Sequence, residues 1–158
     1  MVPEELKQYI GKVNPPNVRE VEKGAIRRYA EAVENNNLLY SDEEYAGKSR
    51  YGSIIAPPGF WGWSIKPSPS AVGLSEAIVN LQAALAKAGF TRILDGGMSY
   101  AFYLPVRAGD TLVASTKVTD ITEKQGKSGT MIVTNFETSY LNQNGDLEAK
   151  ARQAMIAR

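Results

Sequence analysis

The chain has 158 residues, 43% of them hydrophobic, with 18 basic against 17 acidic side chains for a formal net charge of +1. That is the size and balance of one soluble globular domain, in which about 70% of the surface of the unfolded chain is buried. It contains neither cysteine nor histidine, which excludes disulfides, thiolate nucleophiles, Cys- or His-ligated metals, Ser-His-Asp triads and any imidazole general base. The balanced charge gives no field for a polyanion, so no nucleic acid partner is expected, and neither is a metal or cofactor.

The first nine residues, Met1 to Tyr9, mix Glu4, Glu5 and Lys7 with few apolar positions and form no signal-peptide core. No apolar run approaches the roughly 18 residues of a membrane span, so the expected location is the cytoplasm, away from the bilayer. The first helix is predicted over Glu22 to Glu34, where Ile26, Tyr29, Ala30 and Val33 share one face. The asparagines Asn35, Asn36 and Asn37 end it, because Asn tolerates the left-handed conformation. Ser41-Asp42-Glu43-Glu44 reads as a capping box opening a short second helix with Gly47 as its stop, and Leu38-Leu39-Tyr40 packs inward.

Residues 53–73 are rich in proline, glycine and aromatics, including Pro57-Pro58-Gly59-Phe60-Trp61 and Trp63, which argues for an ordered but irregular segment. Residues 74–88 then place Leu74, Ile78, Leu81 and Leu85 on one helical stripe flanked by Ala77, Ala84 and Ala88, and Gly89-Phe90 supplies a Schellman stop. From there the period is strand-like. Strands are predicted at Gly97 to Leu104, Thr111 to Thr122, Thr130 to Leu141 and Leu147 to Ala157, joined by turns at Arg107 to Asp110, Gln125 to Gly129 and Gln143 to Asp146. The expected class is α+β, one domain over residues 1–158, with a curved antiparallel sheet wrapped around a central apolar helix. An exposed sheet face or edge invites a second subunit, so a dimer is expected.

This order of elements, with Ile55-Ala56-Pro57-Pro58-Gly59-Phe60 before the apolar helix and Gly96-Gly97-Met98-Ser99-Tyr100-Ala101-Phe102-Tyr103-Leu104-Pro105-Val106-Arg107-Ala108-Gly109-Asp110-Thr111-Leu112 after it, resembles the MaoC-like dehydratase family of hot-dog folds over roughly Lys12 to Ala157. The resemblance implies (R)-specific hydration of trans-2-enoyl thioesters of CoA or acyl carrier protein, or the reverse dehydration, without a cofactor. Active members carry Asp-x-Asn-Pro-x-His after the first helix, a carboxylate and an imidazole that position and deprotonate water. On this chain the motif falls on Asn35 to Tyr40. Asn37 matches, but Asn35 stands at the Asp position and cannot take up a proton near neutrality, and Tyr40 stands at the His position with a phenol of ordinary pKa near 10.

Active relatives also follow the apolar Ile-Ala pair with His-Gly, whose glycine N–H donates to the thioester oxygen as it gains charge. Here Pro57-Pro58 occupies that place, and proline has no N–H; a gap of one residue would bring Gly59 there instead. The family's long-chain dehydratases pair a dyad-bearing subunit with a second hot-dog subunit that has Tyr for His and Pro-Pro for His-Gly. The resemblance therefore implies a non-catalytic, acyl-binding subunit, with Tyr40, Pro57, Pro58, Gly59, Phe60, Trp61 and Trp63 as the substrate-binding positions.

Each of these positions also has an ordinary reading. Phe60, Trp61 and Trp63 suit a core or a dimer interface as well as an acyl tunnel, and Tyr40 suits half-buried packing. Lys48, Arg50, Lys124 and Lys127 are candidates for thioester-carrier phosphates, but read better as solvated surface charges. Asp95 and Asp110 sit in turns, where Asp is favoured for local hydrogen bonds. Two other functions stay open: an acyl-CoA thioesterase using Glu76, and an acyl-CoA-binding homodimer without catalysis.

Overall fold

The computed structural model of the chain describes residues 2–60, 76–126 and 129–158; the positions read as functional at Trp61, Trp63 and Lys127, and the stripe residue Leu74, lie outside these. The second half folds as four long antiparallel strands, β2 (Ile93–Phe102), β3 (Thr111–Gly126), β4 (Gly129–Leu141) and β5 (Leu147–Ala157). A short β1 (Asn17–Glu20), not foreseen from its mostly polar sequence, pairs outside β3 and gives the order β1-β3-β4-β5-β2. β2 is thus an edge strand. It begins earlier than the period suggested because Asp95-Gly96-Gly97 makes a bulge rather than a break. The Asp95 carboxylate accepts from the Gly97 amide at 2.8 Å, Gly97 takes φ +105°, and the pairing with β5 shifts register between Asp95 and Met98. Gly96 is required for a different reason: a Cβ there would lie 2.9 Å from that of Ala154.

In the first half, α1 (Glu4–Lys7) is short but drives Leu6 fully into the interior. α2 (Lys23–Ala32) buries Ala25, Ile26 and Ala30. The left-handed position that ends it falls on Glu34 (φ +54°), with the Asn35 amide returning to the Ala30 carbonyl at 2.8 Å. The asparagines act instead through their side chains. Asn37 caps the 3-10 turn Leu38–Tyr40 by accepting from the Leu39 amide at 3.0 Å. Of that turn Tyr40 is buried and Leu38 is 47% exposed, so the segment packs inward only in part.

α3 (Glu43–Lys48) starts one residue later than the capping-box reading, because Asp42, not Ser41, accepts from the amide of Tyr45 at 2.9 Å. It also passes through Gly47, and Ser49 closes it by donating to the Ala46 carbonyl at 2.6 Å. α4 (Glu76–Lys87) ends on the predicted Schellman motif: Phe90 donates to the Leu85 carbonyl at 2.9 Å and Gly89, at φ +93°, to that of Ala86 at 3.0 Å. No helix among the described residues is long and apolar enough to cross a membrane.

The sheet receives these helices in two places. α4 sets the fully buried Leu81 and Leu85 against Val118, Ile121, Ile132, Phe136, Met155 and Ala157, and Leu6 joins them. At the other end Ile26, Ala30, Tyr40, Ala46, Ile54, Ile55 and Phe60 pack on Val106, Leu112 and Ala149. Each fully buried leucine contributes about 1.5–3 kcal/mol by removal from water. Leu81→Ala should destabilise the chain by about 2–5 kcal/mol, read as a lower urea midpoint with an unchanged slope.

Candidate functional site

The irregular segment between α3 and α4 is held as a strand-like strap. Ile55 bridges to Arg107, the Ala56 amide donates to the Val106 carbonyl at 2.8 Å, and that of Ala108 donates to Ile54 at 3.0 Å. The Arg107 guanidinium reaches the Tyr51 carbonyl, and the Ser53 hydroxyl at 3.4 Å. After the strap the chain reverses through Pro57-Pro58-Gly59-Phe60, with the Phe60 amide donating to the Pro57 carbonyl at 3.1 Å and Gly59 at φ +89°. Proline second and a left-handed glycine third is the pattern of a type II turn.

Between this strap, the turn that carries Tyr40 and the end of β2 lies a cavity of about 530 Å³. Asn37, Leu39 and Tyr40 form one side, Arg50 and Tyr51 its rim, Ile55 to Pro58 with Phe60 a second side, and Phe102 to Val106 a third. Phe60 is only 1% exposed and meets the ring of Tyr29 edge-on, with centroids 5.5 Å apart. It belongs to the core and the cavity wall at once.

Of the residues predicted from sequence, Tyr40, Pro57, Pro58 and Phe60 therefore converge on one cavity. Asn35 and Gly59 are not among its described lining. The Asn35 side chain is turned to the backbone, accepting from the Asn37 amide at 3.2 Å. Arg50 is the one of the four candidate phosphate-binding cations that touches the cavity among the described residues; it donates to the Tyr51 hydroxyl at 2.6 Å. Lys48 is paired with Glu44. Asp95 and Asp110 hold their own turns. Glu76 opens α4.

Arg50 is the only charged residue of the described lining, and Tyr40, Tyr51 and Tyr103 are its other titratable groups. Burial, and then the nearby Tyr51, push the Tyr40 phenol above its ordinary value, so near neutrality it is an uncharged hydrogen-bonding group and not a base. A broader concavity of about 580 Å³ lies over the bulge of β2, lined by Gly97, Glu137 and Arg152 among others. None of the predicted site residues is in it. Its carboxylate, Glu137, bonds Lys150 at 2.9 Å and Arg152 at 3.1 Å, which hold it below the usual carboxylate range. Among the described residues no cluster of acidic side chains is suited to a metal ion.

A family model described as the FAS1-like, dehydratase domain region matches residues 8–150. The chain belongs to this family. A UPF0336 protein of Thermobifida fusca is 31% identical to it over 121 residues, 76% of this chain and 74% of that protein. A probable enoyl-CoA hydratase alpha subunit of Thermomonospora curvata is 28% identical over 141 residues, 83% of this chain but 43% of the longer relative.

Among solved structures, the ChsH1-ChsH2 complex of Mycobacterium tuberculosis superposes with a TM-score of 0.79 at 16% identity, covering 96% of this chain and 90% of the matched one. The C-terminally truncated HadBC (3R-hydroxyacyl-ACP dehydratase) complex of the same organism gives a TM-score of 0.65 at 21% identity, covering 94% and 96%. The α+β hot-dog fold and the MaoC-like resemblance are borne out, and the family the chain belongs to is of the dehydratase type.

Sequence reasoning missed the contribution of Tyr51 and of Phe102 to Val106, which lie far apart along the chain and meet only through the strap. The turn itself is open to test. Gly59 takes a left-handed φ, and a Cβ on it would meet the Tyr29 hydroxyl at 3.0 Å. Gly59→Ala in this FAS1-like dehydratase-region protein should cost about 1–2 kcal/mol of stability, measured by chemical denaturation, and Tyr29→Phe should recover only part of it.

Proposed function

We propose that this chain is the acyl-holding subunit of a heteromeric (R)-specific enoyl-thioester hydratase or 3-hydroxyacyl-thioester dehydratase, in a cytoplasmic assembly where a second hot-dog subunit carries the acid and base. Adding water across a conjugated double bond requires a group that takes a proton from water and one that gives a proton to the carbon beside the thioester. The observation that carries the reading is the make-up of the cavity: its described lining holds Arg50 and three tyrosines but no carboxylate, and the chain has no histidine. What remains is an apolar enclosure with a polar rim, suited to burying an acyl chain and fixing the thioester.

The place for a partner is the edge strand. All of β2 is exposed in the single chain, and Ile93, Leu94, Met98, Tyr100 and Phe102 are between 39% and 52% exposed. Apolar side chains on an edge strand with no further strand outside it among the described residues call for a covering subunit. Phe102 to Leu104 belong both to the end of this edge and to the cavity, so a subunit seated there would bring its own side chains to the acyl group. Two of the structural relatives are chains of named two-component complexes, which supports a hot-dog partner.

The purified chain alone should give no measurable hydration of a trans-2-enoyl-CoA, followed as loss of enoyl absorbance. Mixing it with a hot-dog subunit bearing Asp-x-Asn-Pro-x-His should produce turnover. In that mixture Tyr40→Phe should change kcat by less than about tenfold, the cost of one neutral hydrogen bond. Full activity of the chain by itself would overturn the proposal.

A further inference from the structure

Glu148 and Asp110 are the two buried charged residues among those described, at 1% and 7% exposure. They come from different parts of the chain, Glu148 from β5 and Asp110 from the turn before β3, and their carboxyl groups are neighbours. Asp110 is fully engaged. Its carboxylate accepts from the Arg107 amide at 2.6 Å and from the Gln143 side chain at 3.1 Å, and its carbonyl from the Val21 amide at 2.8 Å. Glu148 is only partly so: its carboxyl group bonds the side chains of Asp110 and Asn142, but its Oε2 has no partner at good hydrogen-bond geometry among the described residues. An ionised carboxylate in that position, enclosed and beside another, is unfavourable on both counts.

The pair sits directly behind the cavity. The peptide carbonyl of Glu148 accepts from the amides of Tyr103 at 2.8 Å and Leu104 at 3.2 Å, both wall residues. Asp110 holds the amide of Arg107, whose guanidinium reaches the Tyr51 carbonyl on the opposite rim. The charged groups facing Glu148 from the adjoining turn are Asp110 and Arg107, and the Asn142 amide approaches from the β4–β5 turn. On its own strand Lys150 is taken up by Glu137.

We propose that Glu148, protonated and clasped against the Asp110 carboxylate, is a positioning residue for the cavity wall, so that the cavity holds an acyl thioester tightly while the proton is present and loosens when it leaves. The nature of the ligand rests on the function proposed above; the clasp itself does not. Burial, followed by the charge of Asp110, pushes the Glu148 carboxyl up to about 7 from an ordinary 4.5. Between those values the folded chain binds a proton that the unfolded chain has lost. Its contribution to stability is therefore complete below about 4.5, declines as pH rises, and is gone above about 7.

The test compares the full chain with Glu148→Gln, which keeps the shape and a donor but cannot ionise. The melting temperature of the parent should fall with pH across that window, beyond the fall shown by E148Q. At matched pH above neutrality, the Tyr103 and Leu104 amides should exchange hydrogen faster in the parent than in the variant. The affinity of the parent for octanoyl-CoA, measured by calorimetry, should drop about threefold or more between about pH 6 and about pH 8, while that of E148Q holds.

Coincident melting profiles, or equal exchange at the two amides, would overturn the clasp. A stability difference with parallel pH dependence of octanoyl-CoA affinity would overturn its coupling to the cavity. If octanoyl-CoA binds neither protein at any pH, the acyl-binding reading fails, and the exchange data still decide the clasp. Should E148Q fail to fold, Asp110→Asn removes the neighbouring charge and keeps an acceptor; it should move the decline in melting temperature to lower pH, and an unmoved decline would count against the proposal.

Discussion

Val106 to Asp110 is the joint on which the molecule depends. Its carbonyl and amide groups receive the strap at Ile54 and Ala56, Gly109 and Asp110 are hydrogen-bonded to Val21 just before α2, and the Arg107 side chain reaches past the strap to Tyr51. The helical first half is therefore fastened to the sheet by backbone hydrogen bonds as well as by apolar contact. Buried backbone groups must find partners, and here they find them across fifty or more residues of chain. The cavity is the space left beside this seam, and its shape is set by where the seam runs.

The same constraint explains the chemistry of the cavity. The space beside the seam is lined mostly by proline, aliphatic and aromatic residues, which suit an apolar ligand but offer little to move a proton. Tyr40 lines the cavity, and burial makes its phenol harder to ionise. Pro57 and Pro58 shape the turn without donating to an oxyanion. Among the described residues the buried carboxyl groups, Glu148 and Asp110, stand behind the wall.

Much of the fold was legible because local chemistry and global structure agree. The Schellman signal at Gly89-Phe90, the turn glycines at 109 and 145 and the boundaries of β5 are local features, and each appears where the pattern put it. The misreadings are also local in origin. Ser41 and Asp42 are both good caps, and only the path of the chain into α3 chose Asp42. Gly47 looked like a stop, yet α3 continues to Lys48. β1 has little pattern of its own and exists because β3 is long enough to pair with it.

The sequence by itself determined that this chain has no imidazole or thiolate to offer, that an apolar helix precedes a run of long strands, and that a Pro-Pro-Gly turn follows Ile55-Ala56. Those are properties of residue identity and short spacing. Tertiary structure alone decided that Tyr40, Phe60 and Phe102 share a cavity, that Asn35 turns away from it, and that Glu148 is buried against Asp110. A glutamate between Leu147 and Ala149 reads as one on the solvent face of a strand. It is enclosed because β5 is bulged at that end: the pairing with β4 steps from Tyr140–Ala149 to Leu141–Leu147 and leaves Glu148 without a cross-strand partner, so alternation does not fix its face.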